Sequence, residues 1–95
     1  MKILINDCYG GFELSDEFIK AYPQFEELKF SYSYEDRINK ELIKAVEKFG
    51  LKEASGEYCE LDIVEIPHEA TDFMKQENDG MESIIYVLNG KIYFA

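Results

Sequence analysis

The sequence predicts a single α+β domain over residues 1–95, and three observations carry that prediction. Leu42, Ile43, Val46 and Phe49 recur at the spacing of one stripe of an amphipathic helix. The C-terminal third is rich in β-branched and aromatic residues and contains Asn89-Gly90, the pair favoured in a two-residue type I′ hairpin loop. The apolar run Ile3-Leu4-Ile5 is followed by Asn6-Asp7-Cys8-Tyr9-Gly10-Gly11-Phe12-Glu13-Leu14-Ser15, which reads as a strand, a Gly-Gly turn and a helix cap. The simplest layered arrangement is one small, mostly antiparallel sheet of about four or five strands, with a C-terminal β-hairpin and two helices packed on one face.

Each element has a local reason. Lys2 to Asn6 is a first strand, apolar enough to be buried on both faces. Ser15 is an N-cap, because its hydroxyl can accept from a free N–H of the first turn, and Asp16 and Glu17 sit where the helix dipole favours negative charge. Phe18, Ile19 and Tyr22 give this helix a short apolar stripe, and Pro23 ends or kinks it. Phe25, Leu28 and Phe30 fit neither period, and Ser31 to Asp36 reads as an ordered loop with exposed aromatic edges. In the second helix Lys40, Glu41, Lys44, Glu47 and Lys48 occupy the positions away from the stripe, and Gly50 stands where a left-handed residue closes a helix. Ala54-Ser55-Gly56 is a turn. Tyr58 to Ile66 alternates through Leu61 and Ile63 and then shifts phase at Val64 and Ile66, which predicts a bulge or a two-sided strand ended by Pro67. Thr71 to Gln76 is a further strand, Glu77-Asn78-Asp79-Gly80 a turn, and Met81 to Leu88 and Lys91 to Phe94 the two arms of the last hairpin.

Charge narrows the functional classes. The net charge is −10, and residues 53–95 hold ten acids against two bases, Lys75 and Lys91. From Glu53 to Asp72 there are seven carboxylates and no Lys or Arg; Arg37 is the only arginine. A surface of that sign repels phosphate, which argues against direct nucleic-acid binding and for a protein partner with a basic surface. A mimic of the phosphate backbone is one version of such a surface; a plain solvated face is the other reading. No apolar run approaches the ~20 residues of a membrane span. The N-terminus is too short for a secretory apolar region, so a cytoplasmic protein with reduced Cys8 and Cys59 is expected.

Catalytic and metal chemistry find little support. Cys8, between a strand and a helix and beside two glycines, is read as a half-buried structural thiol with Gly10 and Gly11 at positive φ. The alternative is a reactive thiol in an anion-binding nest, yet Leu14 stands where a phosphatase loop needs Arg, and no Gly-Lys-Ser/Thr follows. Cys8, Cys59 and His68 are the only soft ligands, without zinc-type spacing. No catalytic residue, cofactor or metal is therefore assigned. Glu60 and Asp62, two apart and so on one face of a strand, could with Glu57 hold a divalent ion or act as an acid/base pair, but the plainer reading is a solvated strand face. Tyr32, Tyr34 and Tyr58 supply rings flanked by acids, a combination common at protein interfaces.

The segment Cys-Tyr-Gly-Gly-Phe-x-Leu-Ser after a strand, and Ala54-Ser55-Gly56-Glu57-Tyr58-Cys59-Glu60-Leu61-Asp62-Ile63-Val64-Glu65-Ile66-Pro67 after a helix, resemble a family of small phage and prophage proteins of unknown function. The resemblance covers Met1–Ser15 and Val46–Pro67, with Asp79-Gly80-Met81-Glu82 similar to the family's acidic hairpin; Phe25–Arg37 lies outside it. Family members often close with a basic, Trp-containing tail, whereas this chain closes with Ile92-Tyr93-Phe94. The resemblance implies a phage context in a host cytoplasm and supplies no catalytic residues. The expected function is a small acidic accessory protein, not an enzyme. It binds a host protein, in the manner of anti-CRISPR-like inhibitors of nucleic-acid-handling defence factors, with Glu57, Glu60, Asp62, Glu65, Tyr32, Tyr34 and Tyr58 as partner-binding residues. The alternatives are a phage assembly or accessory protein that forms a homo-oligomer through a strand edge, and an enzyme that uses Cys8.

Overall fold

The computed structural model describes residues 1–95 and is α+β. Five strands are present, all paired antiparallel: β1 (Lys2–Asn6), β2 (Leu61–Glu65), β3 (Asp72–Asn78), β4 (Met81–Leu88) and β5 (Lys91–Phe94). They do not form the one sheet that the sequence predicts. β1 and β2 make a two-stranded sheet, and β3-β4-β5 make a separate meander. The helices are α1 (Asp16–Ala21), α2 (Tyr34–Arg37), α3 (Lys40–Phe49) and α4 (Leu51–Ala54), with a 3-10 segment over Pro23–Leu28.

The reason for the split lies in β1 and β2. Alternate side chains of a strand point to opposite faces, and both faces of this pair are apolar. Leu4, Leu61 and Ile63 face the helices and join a core with Phe18, Leu42 and Val46. Ile3, Ile5, Val64 and Ile66 face the other way, against Ile84, Phe73 and Tyr86 of the three-stranded sheet. The pair is therefore the middle of three layers, helices on one side and the second sheet on the other. The phase shift along Leu61–Ile66 is this two-sidedness and not a bulge, since the register from Lys2↔Glu65 to Asn6↔Leu61 is unbroken.

Local signals act as expected at most ends. The Ser15 hydroxyl accepts from Phe18 N at 3.1 Å, and Pro23 opens the 3-10 segment that covers Phe25. Asn39 adds a cap beyond those expected, its Oδ1 accepting from the Glu41 and Leu42 amides at the start of α3. Asp79-Gly80 and Asn89-Gly90 both form two-residue hairpin loops with positive φ at both positions, 52° and 90°, then 53° and 76°. Three expectations differ. Tyr34 begins a short helical turn instead of lying in a loop, Tyr58 to Glu60 precedes β2 instead of opening it, and neither Gly10 nor Gly11 has a positive φ.

Candidate functional site

Three chain segments meet at the end of β1, and the Asn6 side chain ties them together. Its Nδ2 donates to Cys8 O at 3.0 Å and Gly80 O at 2.8 Å, while its Oδ1 accepts from Glu60 N at 2.9 Å. Asp7 N donates to Glu60 O at 2.8 Å and Gly11 N to Tyr58 O at 3.2 Å. Gly10 is required by close approach: a Cβ there would stand 1.5 Å from the Tyr58 carbonyl oxygen. The hairpin residue Gly80 crosses the same spot, since its own Cβ would lie 2.5 Å from Gly10 O. The glycines of the turn thus let the backbones of residues 10, 58 and 80 stack.

This packing leaves the two neighbouring tyrosines outside. Tyr9 is 66% exposed and Tyr58 69%. Asp7, Glu57 and Glu60 are exposed beside them. Tyr9, Gly10, Glu57, Tyr58 and Glu60 line a shallow depression that no Lys or Arg enters. Cys8 forms part of its floor, half-buried, with Sγ 3.3 Å from Asn6 Oδ1 and 3.2 Å from Tyr58 O, and it accepts from Gly10 N at 3.4 Å. Cys59 is a buried free thiol next to it; desolvation by burial pushes it up to about 11.

Behind the depression lies a polar clasp. Arg37 is fully buried and forms a bidentate pair with Glu82, itself 2% exposed. Arg37 also donates to Ser31 O at 2.8 Å and to Leu4 O at 3.3 Å, and its guanidinium carbon stacks 3.6 Å above the centre of the Phe12 ring. Its Nε has no partner. Glu82 accepts in addition from Asn6 N at 2.8 Å and Lys75 Nζ at 3.2 Å. Burial alone would push the Glu82 carboxyl up; the Arg37 hydrogen bonds and charge, the Asn6 amide and Lys75 outweigh it and hold the group below its ordinary range. The clasp bonds α2, β1 and β4 together and so fixes the turn that presents Tyr9 and Tyr58.

Of the residues singled out in the sequence, the structure brings Glu57, Tyr58 and Glu60 to one depression. Asp62 is half-buried in β2, where its Oδ1 accepts from Ile63 N at 2.8 Å. Glu65 lines a different groove, with Lys2, Lys40, Lys44, Glu47 and His68 among its neighbours. Tyr34 is half-buried: it packs edge-on against Phe73 at 5.5 Å, its hydroxyl accepts from Lys75 N, and desolvation by burial raises its phenol. Tyr32 is 70% exposed beside Lys75, whose Nζ lies 5.7 Å from the ring centre. Cys8 and His68 line different depressions, and no three His, Cys, Asp or Glu side chains converge.

Two features escape the sequence reading. Tyr9 belongs to the turn motif, and the signal for its exposure is its place beside Gly10, which must lie flat against the backbone of Tyr58. The Arg37–Glu82 pair had a signal too: Glu82 falls in phase with Ile84 and Tyr86 on the inward face of β4, and a carboxylate there needs a buried cation. No family model, curated protein or solved structure matches the chain.

Proposed function

We propose that this protein is a non-catalytic binding module that engages a basic protein surface through the depression beside the Gly10 turn. The observation that supports this most is the pairing of two largely exposed rings, Tyr9 and Tyr58, with three exposed carboxylates, Asp7, Glu57 and Glu60, on backbone held by the Asn6 and Arg37–Glu82 network. Rigid aromatic groups bury area at low entropic cost, and carboxylates steer a basic partner and set its orientation. Pre-organisation lowers the cost of association further. The Cys8 thiol faces an amide oxygen and a carbonyl, with no imidazole or carboxylate within hydrogen-bond reach, which favours a structural role over a nucleophilic one. Combined with the resemblance of its turn motif to small phage proteins, the reading extends to a host protein whose basic surface handles nucleic acid, which this protein occupies as an inhibitor in the host cytoplasm.

The test is affinity capture from a bacterial host lysate with the intact chain, at low and high salt, against the variant Glu57→Lys/Tyr58→Ala/Glu60→Lys. The wild type should retain a discrete basic protein at low salt and release it at high salt, and the folded variant should lose it. Retention of the same protein by the variant would place the interface elsewhere.

A further inference from the structure

A strand at the edge of a sheet presents a row of unpaired N–H and C=O groups, and proteins usually cover or blunt them. The two sheets here have four such edges, and three are blocked by side chains. On β1, Asn6 N donates to Glu82 Oε1 and Leu4 O accepts from Arg37. On β2, Leu61 N donates to the Ser55 hydroxyl and Ile63 N to Asp62 Oδ1. On β3, Lys75 N donates to the Tyr34 hydroxyl and Phe73 N to Asp72 Oδ1. β5 is the exception. In an antiparallel ladder alternate residues bond inward and outward. Leu88↔Lys91 closes the two-residue loop and Ala95 N donates inward to Ile84 O, so Ile92 and Phe94 turn their backbone groups outward. No side chain bonds to either, and all four residues of β5 are exposed.

We propose that β5 is a self-association edge through which two copies of this chain pair antiparallel, with Ile92 opposite Phe94 of the second copy and Tyr93 on the two-fold axis. The parity of the free groups allows this register, since Ile92 and Phe94 both bond outward, and it completes four backbone hydrogen bonds. It sets Ile92 (66% exposed) against Phe94 (76% exposed) twice on one face of the joined sheet. On the other face Tyr86 and Tyr93 already stack at 5.4 Å and 18°, and the second copy continues that ladder with its own Tyr93 and Tyr86. Charge selects the same edge. The chain carries −10, yet from Ser83 to Ala95 the only charged side chain is Lys91. Two copies can meet there without opposing their carboxylates, and this register keeps the two Lys91 side chains at opposite ends. A β5–β5 contact makes a continuous six-stranded sheet with an isologous interface. The edge strand is only four residues long, and contacts below the roughly 1,600 Å² of a standard interface associate weakly, so a weak, concentration-dependent dimer is expected.

Sedimentation velocity of the intact chain from roughly 10 μM to 1 mM spans the range in which an interface below standard size is read. The expected result is a reversible monomer–dimer shift that salt strengthens, because salt screens the repulsion of two −10 bodies. Binding of a basic partner has the opposite salt dependence, so the two readings fail separately. Ile92→Lys with Phe94→Lys sets like charges across the pair, and Phe94→Pro removes an outward N–H that β4 does not use; each should weaken the dimer at least tenfold. The lysine variant changes only exposed side chains, which guards against a Phe94→Pro protein that fails to fold. In a Cys8→Ser background, mild oxidation should cross-link Tyr93→Cys and leave Ile92→Cys monomeric, as only residue 93 faces its own copy. A monomer at 1 mM, a dimer indifferent to the lysine variant, or equal cross-linking of Tyr93→Cys and Ile92→Cys would each overturn the proposal.

Discussion

The two faces of the β1–β2 pair are held by different physics. On the helix side, twelve buried residues from α1, α3, α4, both strands and the connecting segments form one core, with Phe18 stacked on Phe25, tilted against Tyr22 and edge-on to Phe49. On the other side the buried apolar cluster is only four isoleucines, and the buried Arg37–Glu82 pair also joins the three-stranded sheet to the rest of the protein. Apolar cores lose contacts piecemeal when trimmed. A buried ion pair contributes little net stability while whole, but losing one partner leaves an uncompensated charge in the interior. The C-terminal sheet is thus the more fragile attachment, although it contains the two longest strands, β3 and β4.

Arg37→Ala offers the largest break in this comparison. It should cost about 3–5 kcal/mol, the usual range when one member of a buried pair is removed. The loss should be uneven: amide exchange in β3, β4 and β5 should accelerate more than in α3. Phe18→Ala, on the helix side, should cost a similar ~3–5 kcal/mol but loosen α1 and α3 with the rest. Equal loss of protection everywhere in Arg37→Ala would show that the two faces are not distinct. A double change to Arg37→Met with Glu82→Leu should recover most of the stability, as no charge is then left unpaired. Acid provides the same test without mutation. The Glu82 carboxyl is held below its ordinary range, so its contribution is present above that range and is lost as pH falls through the depressed value. Thermal melts should therefore decline in acid, and Glu82→Gln should flatten that decline while lowering stability at neutral pH.

The contrast also explains what could be read from the residues alone. The helix side was legible because its signals are local: the stripe Leu42, Ile43, Val46 and Phe49, the Ser15 cap, and Pro23 as a stop. The hairpins were legible for the same reason, since Asn89-Gly90 carries its geometry with it. The division into two sheets was not, because it depends on which face of β1 and β2 meets which element, and those strands pair residues as far apart in sequence as Lys2 and Glu65. The site divides likewise. Glu57, Tyr58 and Glu60 are neighbours in sequence and stay neighbours in space. Tyr34 looked exposed beside acids, but its ring is taken up by Phe73 and its hydroxyl by the β3 edge.

A smaller effect tests the turn that carries β5 independently of the clasp. Gly90 has φ +76° and open space around its Cβ position, so Gly90→Val is disfavoured by backbone conformation alone. The expected loss is about 1 kcal/mol, read as a lower melting midpoint. Because β5 lies outside both buried clusters, amide protection in α3 should barely change. If Gly90→Val destabilised the protein as much as Arg37→Ala, β5 would be as integral to the fold as the clasp and not an appendage to β4.

The smallest expected effect is at Cys8, and it separates a structural turn from a reactive one. The single S–H of Cys8 can donate to Asn6 Oδ1 or to the Tyr58 carbonyl, and a serine hydroxyl can donate to either oxygen. Cys8→Ser should shift stability by less than about 1 kcal/mol, since it exchanges one weak donor for a stronger one at a half-buried site. It should also keep the capture of a basic partner, because Tyr9, Tyr58, Glu57 and Glu60 are unchanged. Alkylation should label Cys8 well before Cys59, whose thiol is buried and raised to about 11. A Cys8→Ser protein that melts normally but no longer acts would move the chemistry from the rings and carboxylates to the sulfur, and the depression would have to be read as a site that works on its ligand rather than one that holds it.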